Sequence, residues 1–195
     1  MSHLSQLLQQ IRSCQYCVAH LPLGPKPILR AHPTAQLLIV GQAPGIRVHQ
    51  TGIPWNDPSG ERLRTWLALD REPFYDERKI AIIPMGYCYP GTGLSGDYPP
   101  RKECAQHWLP QLLACLPNIQ LTLLIGHYAQ QHYLRERVKI NLTQTVQAFE
   151  TYLPRYFPLP HPSPRNNRWL KKNPWVAQTV IPILRARCHL LLNLL

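Results

Sequence analysis

Residues 36–45 of the chain read QLLIVGQAPG, a short apolar run that passes directly into a loop of Gly and Pro. Such a run, bounded by turn residues, is typical of a buried strand in a parallel sheet. Three further runs of this kind follow at residues 79–84 (KIAIIP), 120–125 (QLTLLI) and 155–159 (RYFPL). We therefore predict four strands, the first of which ends at Val40.

Helical spacing of apolar residues separates these strands. It is found at residues 4–11, 60–69, 101–116, 127–137 (with a further stretch to about 149) and 176–195. Strands that alternate with helices predict an α/β fold in which helices cover both faces of a parallel sheet. The length of 195 residues fits a single domain, spanning residues 1–195.

The composition is basic, with 21 Lys and Arg residues, 10 Asp and Glu residues and a formal net charge of +11. This excess favours a polyanionic partner such as nucleic acid, although an uninvolved basic surface has the same composition. No run of about 18 apolar residues occurs, and the first ten residues lack the pattern of a secretory signal. We expect a cytoplasmic protein without membrane contact, and a monomer.

Each predicted strand is followed by a loop of unusual composition. These loops are GQAPG (41–45), MGYCYPG (85–91), GHYA (126–129) and PHPSPRNN (160–167). Ligands of open parallel sheets bind beyond the carboxyl ends of the strands, so the four loops are predicted to converge on one crevice.

Cysteine spacing points to a metal site. Six cysteines in a reducing compartment favour metal binding over a disulfide framework for at least some of them. Cys14 and Cys17 form a CxxC pair, Cys88 follows a predicted strand and Cys104 lies near the start of a predicted helix. Four thiolates from two distant segments can ligate either zinc or a cubane iron-sulfur cluster. The two other cysteines lie among Leu and Ile residues and are predicted to be buried apolar thiols.

Taken together, the loops and cysteines resemble the uracil-DNA glycosylase superfamily. GQAPG (41–45), TGIPW (51–55) and HPSPRN (161–166) occur in family order, and the resemblance covers roughly residues 14–175. The most similar branch is the iron-sulfur (family 4) glycosylases, whose first motifs read GEAPG and TGRPF. The resemblance implies a three-layer α/β sandwich with a central four-stranded parallel sheet flanked by helices. It also implies a [4Fe-4S] cluster, with zinc as the alternative, and removal of uracil from DNA.

The same resemblance assigns residues to a base pocket. Trp55, where the family usually has Phe, would stack on the flipped base, or else be a core aromatic after a turn. His161 would donate toward uracil O2 as negative charge develops on the departing base. The side chain of Gln42 would hydrogen-bond a base edge or a water, or brace its own loop. The pocket floor would consist of Gly41, Gln42, Ala43, Pro44 and Gly45.

A basic, amide-rich tip follows His161. We expect it to contact DNA phosphates and the minor groove and to fill the gap left by the flipped base, or else to be a solvated face. Trp169 lies among these charges and favours DNA contact. The predicted DNA-binding residues are Ser163, Arg165, Asn166, Asn167 and Arg168.

The first loop departs from the family pattern. Gln42 replaces a Glu, residues 46–49 (IRVH) stand where acids are common, and Pro84 stands where an Asn is expected. Hydrolysis of an N-glycoside passes through a sugar with oxocarbenium character, which a carboxylate would stabilise and an Arg would oppose.

Several residues are candidate substitutes for the missing acid. Asn56 and Asp57 would position water, His49 would act as a base or as a nucleophile toward the sugar, and Asp97 would approach the site from its own loop. Two functions follow. The first is a DNA glycosylase that hydrolyses the bond to uracil or another deaminated base. The alternative is a non-hydrolytic or covalently trapping binder of damaged or uracil-containing DNA.

Overall fold

A computed structural model of the chain describes residues 2–94 and 96–194. Its strands are β1 (Leu37–Val40), β2 (Ile80–Ile82), β3 (Thr92–Gly93), β4 (Gly96–Asp97), β5 (Leu121–Ile125) and β6 (Tyr156–Leu159). Four of them form one parallel sheet in the order β2-β1-β5-β6, while β3 and β4 form a separate antiparallel hairpin. Each predicted apolar run therefore supplies one strand of the parallel sheet.

Strand β1 is fully buried because both faces of the sheet are covered. Leu37 and Ile39 pack into one hydrophobic core, while Leu38 and Val40 pack into the other. This division follows from the alternation of side chains along a strand. The sheet is thus the middle layer of a three-layer α/β sandwich, and the predicted fold class is confirmed.

The helices form the two outer layers. They are α1 (His3–Arg12), α2 (Ile46–Thr51), α3 (Pro58–Leu67), α4 (Arg71–Tyr75), α5 (Lys102–Ala114), α6 (His127–Leu134), α7 (Leu142–Gln147), α8 (Asn167–Lys172) and α9 (Ile181–Leu191). One core lies under α3, α7 and α9, and the other lies under α1, α5 and α6. The amphipathic spacing seen in the sequence is therefore buried against the sheet on both sides.

Two predicted helices are shorter than expected. Helix α6 ends at Leu134 because Arg135 adopts a φ of 50°, which a right-handed helix does not accommodate. A 3-10 turn follows at Arg135–Arg137, and α7 begins separately. The C-terminal segment begins with a π-helical turn at Val176–Val180 and continues as α9, while Leu195 lies outside the described residues.

The two cysteines predicted to be apolar thiols behave differently. Cys188 on α9 is fully buried, as predicted, whereas Cys115 is half-buried against the second core. In the part of the chain that the structure describes, no helix is both long and apolar enough to cross a membrane.

Candidate active site

A cavity of about 520 Å³ opens at the carboxyl edge of the parallel sheet. Residues 41–45 line it, together with Trp55 and His161, and its volume lies in the range of about 300–1,000 Å³ typical of small-molecule sites. Residues of the predicted loops 41–45 and 160–167 thus meet at this cavity. After β2, Pro84 lines it, whereas no residue of the predicted loop 85–91 does. The loop after β5 lies beneath His161 instead, because a Cβ placed on Gly126 would be 3.6 Å from the His161 Cβ.

A wider groove of about 680 Å³ adjoins this cavity and shares Ile28 and Pro54 with it. Its charged side chains have both signs, including Arg30, Asp76 and Glu77, and no predicted site residue is found among the described residues that line it. The smaller cavity, where the strand ends meet, is therefore the candidate site.

His161 follows β6 and offers a defined hydrogen-bond donor to the cavity. The backbone N–H of Ser163 donates to its Nδ1 at 3.2 Å. Because a backbone N–H can only donate, Nδ1 is unprotonated and the neutral ring carries its proton on Nε2. Burial lowers the pKa of His161, and the carboxylates of Asp57 and Asp97 oppose this effect only in part. The ring is therefore neutral near pH 7.

Two amide side chains fix the backbone around His161. Asn166 Nδ2 donates to the carbonyl of His161 at 2.7 Å. Gln130 is fully buried on α6, and its amide donates to the carbonyls of Leu159 (2.9 Å) and Leu124 (3.3 Å), at the ends of β6 and β5. Nothing in the local sequence distinguishes Gln130 from the other polar residues of α6.

Trp55 forms one wall of the cavity in a strained backbone conformation. Its φ of 56° lies in the left-handed region, which is unusual for an aromatic residue and found at functional sites. A Cβ on Gly41 would lie only 2.8 Å from Cζ2 of the Trp55 ring, so glycine is needed at that floor position. The ring centroid lies 5.7 Å from that of His161. Trp55 also packs against the first core, as expected of a core aromatic, while its stacking on a base stays a prediction.

Arg64 and Tyr75 hold this strained segment, and sequence reasoning did not find them. Buried Arg64 on α3 donates from Nη1 to the Trp55 carbonyl (3.2 Å) and to the Tyr75 hydroxyl (3.3 Å). The Tyr75 hydroxyl donates to the Pro54 carbonyl at 2.9 Å. The only sequence signal for Arg64 is its place beside Leu63 on the buried face of an amphipathic helix.

Two candidate substitutes for the missing acid do not reach the cavity. Asn56 Oδ1 accepts two hydrogen bonds from the Arg71 guanidinium, both at 3.2 Å. The His49 ring lies 5.9 Å from that of Tyr89, and burial lowers its pKa. Neither Asn56 nor His49 is among the described residues that line the cavity. The structure thus places neither residue in the cavity wall, and the roles expected of them toward water or the sugar stay predictions.

Two carboxylates do line the cavity. Asp57 caps α3, because its Oδ1 accepts from the Gly60 N–H at 2.8 Å. Asp97 lies on β4 and accepts from the Thr92 hydroxyl at 2.6 Å. The Thr92 hydroxyl has a single proton, and it donates this proton to Asp97. In the 2.6 Å contact between the Tyr89 and Thr92 hydroxyls, Tyr89 is therefore the donor. Asp97 is thus held by a chain of two hydroxyls.

The other oxygen of Asp97 lies over the first loop. A Cβ placed on Gly45 would be 3.3 Å from Asp97 Oδ2. Gln42 fixes the same region, because its Nε2 donates to the carbonyl of Tyr98 at 3.2 Å. The structure therefore shows Gln42 bracing a loop, as one alternative predicted. The loop that it holds is the one that contains Tyr98 and not its own.

Some side chains of the tip after His161 line the cavity, and others point into solvent. Ser163, Arg165 and Asn166 line the cavity, whereas Arg168 is exposed on α8. Trp169, whose position among the charged residues favoured DNA contact by the tip, donates from Nε1 to the Thr143 hydroxyl at 3.0 Å and packs against the first core.

Asn167 is used within the protein. Its Oδ1 accepts from Arg62 Nη2 at 2.7 Å, and Arg62 Nη1 donates to the Ser163 carbonyl at 3.1 Å. Arg62 thereby ties α3 to the tip, and no sequence motif had marked it. Asn167 is nevertheless exposed, and its contact with DNA stays a prediction.

The four cysteines of the predicted metal site line one small cavity, together with Trp108. All are free thiols, and burial raises the pKa of Cys88 to about 11 and that of Cys104 to about 12. Within residues 2–94 and 96–194, no three His, Cys, Asp or Glu side chains lie close enough together to hold one metal ion. The thiols of Cys14, Cys17, Cys88 and Cys104 thus share a cavity without meeting at a single point.

A short segment connects this cysteine cavity with the cavity at the carboxyl edge of the sheet. The N–H groups of Met85 and Gly86 donate to the carbonyls of Gly41 and Gln42, both at 2.9 Å. Two residues after Gly86, the same segment reaches Cys88.

A cavity at the carboxyl edge of a parallel sheet, with a neutral imidazole donor and an aromatic wall, suits binding of a planar polar base. The model of the uracil DNA glycosylase superfamily matches residues 30–185, which include the whole parallel sheet and, apart from Ile28, the described residues that line this cavity. The chain belongs to the uracil DNA glycosylase superfamily. This is a superfamily of DNA glycosylases that act on uracil-containing DNA, so DNA is the expected partner. The match does not separate its branches, and the iron-sulfur branch stays a prediction.

Proposed function

We propose that this protein is a DNA glycosylase that flips uracil or another deaminated base out of DNA and hydrolyses its N-glycosidic bond. The observation that carries the proposal is His161, whose neutral ring borders a base-sized cavity with Nδ1 occupied and the proton on Nε2. A base inside a duplex is out of reach of this side chain, so the nucleotide must be extruded first. Trp55 then stacks on the flipped base, a contact worth about 1–3 kcal/mol.

His161 acts on the leaving group. As the bond between C1′ and the base nitrogen breaks, its electron pair passes to the base and negative charge collects on the base oxygens. Nε2–H of His161 donates to one of these oxygens, and this bond strengthens as the charge develops. A neutral donor is sufficient, because the base leaves as an anion stabilised by hydrogen bonds.

Asp97 supplies the carboxylate that residues 41–55 lack. It lines the same cavity, and Thr92 fixes its Oδ1 while Oδ2 lies beside Gly45. We assign to Asp97 the role of general base for the water that attacks C1′. The water oxygen forms the new bond to C1′, and Asp97 takes up the proton that this water loses. Its negative charge also stabilises the developing positive charge on the sugar. Asp57 is the less suitable group, since one of its oxygens already caps α3.

Base release from oligonucleotides tests the function. The wild-type protein is incubated with single- and double-stranded oligonucleotides that contain uracil, hypoxanthine or xanthine, and free base is measured. We expect release of at least one of these bases, and DNA binding that weakens with salt because Lys and Arg neutralise phosphates. A preparation that releases none of them contradicts the proposal.

A non-hydrolytic binder of damaged DNA is the alternative, and the absence of any carboxylate in residues 41–55 favours it. It gives salt-dependent binding to the same oligonucleotides with no base release. The covalent variant requires His49 to leave its contact with Tyr89, and it is recognised as a protein-DNA band that resists denaturation.

We further propose that Cys14, Cys17, Cys88 and Cys104 hold a [4Fe-4S] cluster. A single zinc ion needs its thiolates within about 2.3 Å of one point, whereas a cubane binds each thiolate to a different iron. Four thiols that line one cavity supply the number of ligands that a cubane needs, and the resemblance of the loops to the iron-sulfur branch favours the cluster over zinc. The cluster would serve to fix the chain around it.

The cluster has a spectroscopic test. We expect protein purified without oxygen to be brown, with an absorbance band near about 400 nm and iron and sulfide in equal amounts. Cys88→Ala should lose this band, whereas Cys188→Ala, at a thiol buried on α9, should keep it. A colourless protein that contains zinc overturns the assignment.

A further inference from the structure

Helix α3 carries a buried cation that the proposed mechanism does not use. Arg64 is only 8% exposed, and arginine is always charged in proteins. In the described part of the chain it forms no ion pair, since the two ion pairs found there involve Arg78 and Arg101. Its hydrogen bonds go to the Trp55 carbonyl and the Tyr75 hydroxyl, which are both uncharged. A buried charge without an opposite charge beside it is costly to fold around.

Tyr75 holds two further arginines beside Arg64. The Cζ atoms of Arg30, Arg71 and Arg64 lie 5.0, 5.3 and 5.9 Å from the centroid of its ring. Arg30 donates to the Tyr75 carbonyl at 3.0 Å and Arg71 donates to Asn56, so both of them also use uncharged acceptors. Arg71 is exposed and Arg30 is partly exposed, whereas Arg64 is buried. Because water and salt screen exposed charges, the field inside the protein comes mainly from Arg64.

The buried cation and Asp97 lie toward opposite ends of the first loop of the cavity. Arg64 contacts the backbone of Trp55, whose ring would be 2.8 Å from a Cβ on Gly41. A Cβ on Gly45 would be 3.3 Å from Asp97 Oδ2. As an N-glycosidic bond breaks, positive charge develops on the sugar and negative charge on the base. With the base stacked on Trp55 and the sugar toward Asp97, each developing charge faces a group of the opposite sign.

We propose that the charge of Arg64 stabilises the base as it leaves as an anion, acting from behind the wall that Trp55 forms. This inference rests on the proposed function, because it needs a base in the cavity. The electron pair of the broken bond passes to the base, and Arg64 neither gives nor takes a proton. Such a field is strong in a low-dielectric interior. Asp57 also lines the cavity and opposes this field, but its Oδ1 is bound by the Gly60 N–H at the positive end of α3.

The test varies the leaving group. Single-turnover release of uracil and of 5-fluorouracil is measured from otherwise identical oligonucleotides with the wild type, Arg64→Met and Arg64→Lys. Fluorine makes the departing anion less basic, so its release depends less on stabilisation by the protein. We expect Arg64→Met to slow uracil release about tenfold and 5-fluorouracil release clearly less, and Arg64→Lys to restore both rates because it keeps the charge. Arg187→Met is the matched control, since Arg187 is exposed on α9 and is not among the described residues that line the cavity.

A variant of Tyr75 separates the charge of Arg64 from its contact with the wall. Tyr75→Phe removes the hydroxyl that holds the Pro54 carbonyl but leaves the charge of Arg64 in place. Any loss of rate in Tyr75→Phe should therefore be the same for both bases. If Arg64→Met also slows both bases by one factor, Arg64 only holds the wall and the inference is wrong. A Lys variant as slow as Arg64→Met would contradict it as well.

Binding of free bases does not depend on catalysis. 5-Nitrouracil is an anion at pH 7.5, whereas uracil is neutral, and calorimetry gives the dissociation constant of each. Arg64→Met should bind 5-nitrouracil about tenfold more weakly than the wild type and should bind uracil equally well. If the wild type releases no base from DNA, the proposed function fails, and this comparison still decides the role of Arg64. Equal affinity of the two proteins for 5-nitrouracil would contradict the inference. Arg64→Gln, which keeps side-chain donors without the charge, replaces Arg64→Met if that variant does not fold.

Discussion

The Asp97→Asn variant is expected to release base roughly 10²–10⁴-fold more slowly than the wild-type protein, the usual contribution of a general base. Asparagine keeps the size of the side chain and can still accept from Thr92, so the hairpin should remain in place. What it loses is the ability to take up a proton from water and the negative charge beside the sugar. The measurement is single-turnover base release with a uracil oligonucleotide, together with its dissociation constant.

Asp70→Asn is the control for this variant, because Asp70 is exposed at the start of α4 and makes no capping bond with its side chain. DNA affinity of Asp97→Asn should stay near the wild-type value, since the carboxylate acts in the transition state. If Asp57→Asn stops base release while Asp97→Asn does not, the water belongs to Asp57 and our assignment is wrong.

The second large effect is expected at His161. His161→Gln should slow base release roughly 10²–10³-fold, corresponding to about 3–4 kcal/mol of transition-state stabilisation, as for other donors to a developing oxyanion. Exposed His3 on α1 supplies the matched control, His3→Gln, which should behave as the wild type does. A His161→Gln variant with an unchanged rate would remove the observation on which the proposed function depends.

His161 also predicts a dependence of stability on pH. Burial holds its folded-state pKa below the value of about 6.5 that an unfolded histidine has. As the pH falls below about 6.5, the unfolded chain binds a proton that the folded chain does not, so the free energy of unfolding decreases until the lowered pKa is reached. Above about pH 6.5 neither the folded nor the unfolded chain binds this proton, so the destabilisation is absent and the free energy of unfolding is at its full value.

Denaturant titrations at pH 7.5 and pH 5 check this dependence. The wild-type protein should lose more stability on acidification than His161→Gln does, because glutamine does not titrate. Equal losses in the two proteins would show that protonation of His161 does not oppose folding.

The parallel sheet could be predicted because each strand is a continuous apolar run that ends in turn residues. The hairpin could not, since its strands have two residues each and half of these are glycine. Helix α2 was missed for a similar reason: it has six residues, and Gly45 and Gly52 at its ends read simply as turns.

The directions in which the side chains of the site point were harder to predict from the sequence. Asn56 and Asp57 are adjacent in sequence, yet Arg71 draws one away from the cavity while the start of α3 fixes the other in its wall. His49 is turned toward Tyr89 in a similar way. These outcomes depend on partners distant in sequence, and no local pattern distinguishes them.

The segment from Met85 to Cys88 is shared by the two cavities. Its backbone holds the carbonyls of Gly41 and Gln42 at one end and carries a thiol of the cysteine cavity at the other. If a group bound by the thiols and a base bound in the other cavity both order this segment, the two binding events are coupled. By linkage, a bound base would then raise the affinity of the thiols for their ligand by the same factor.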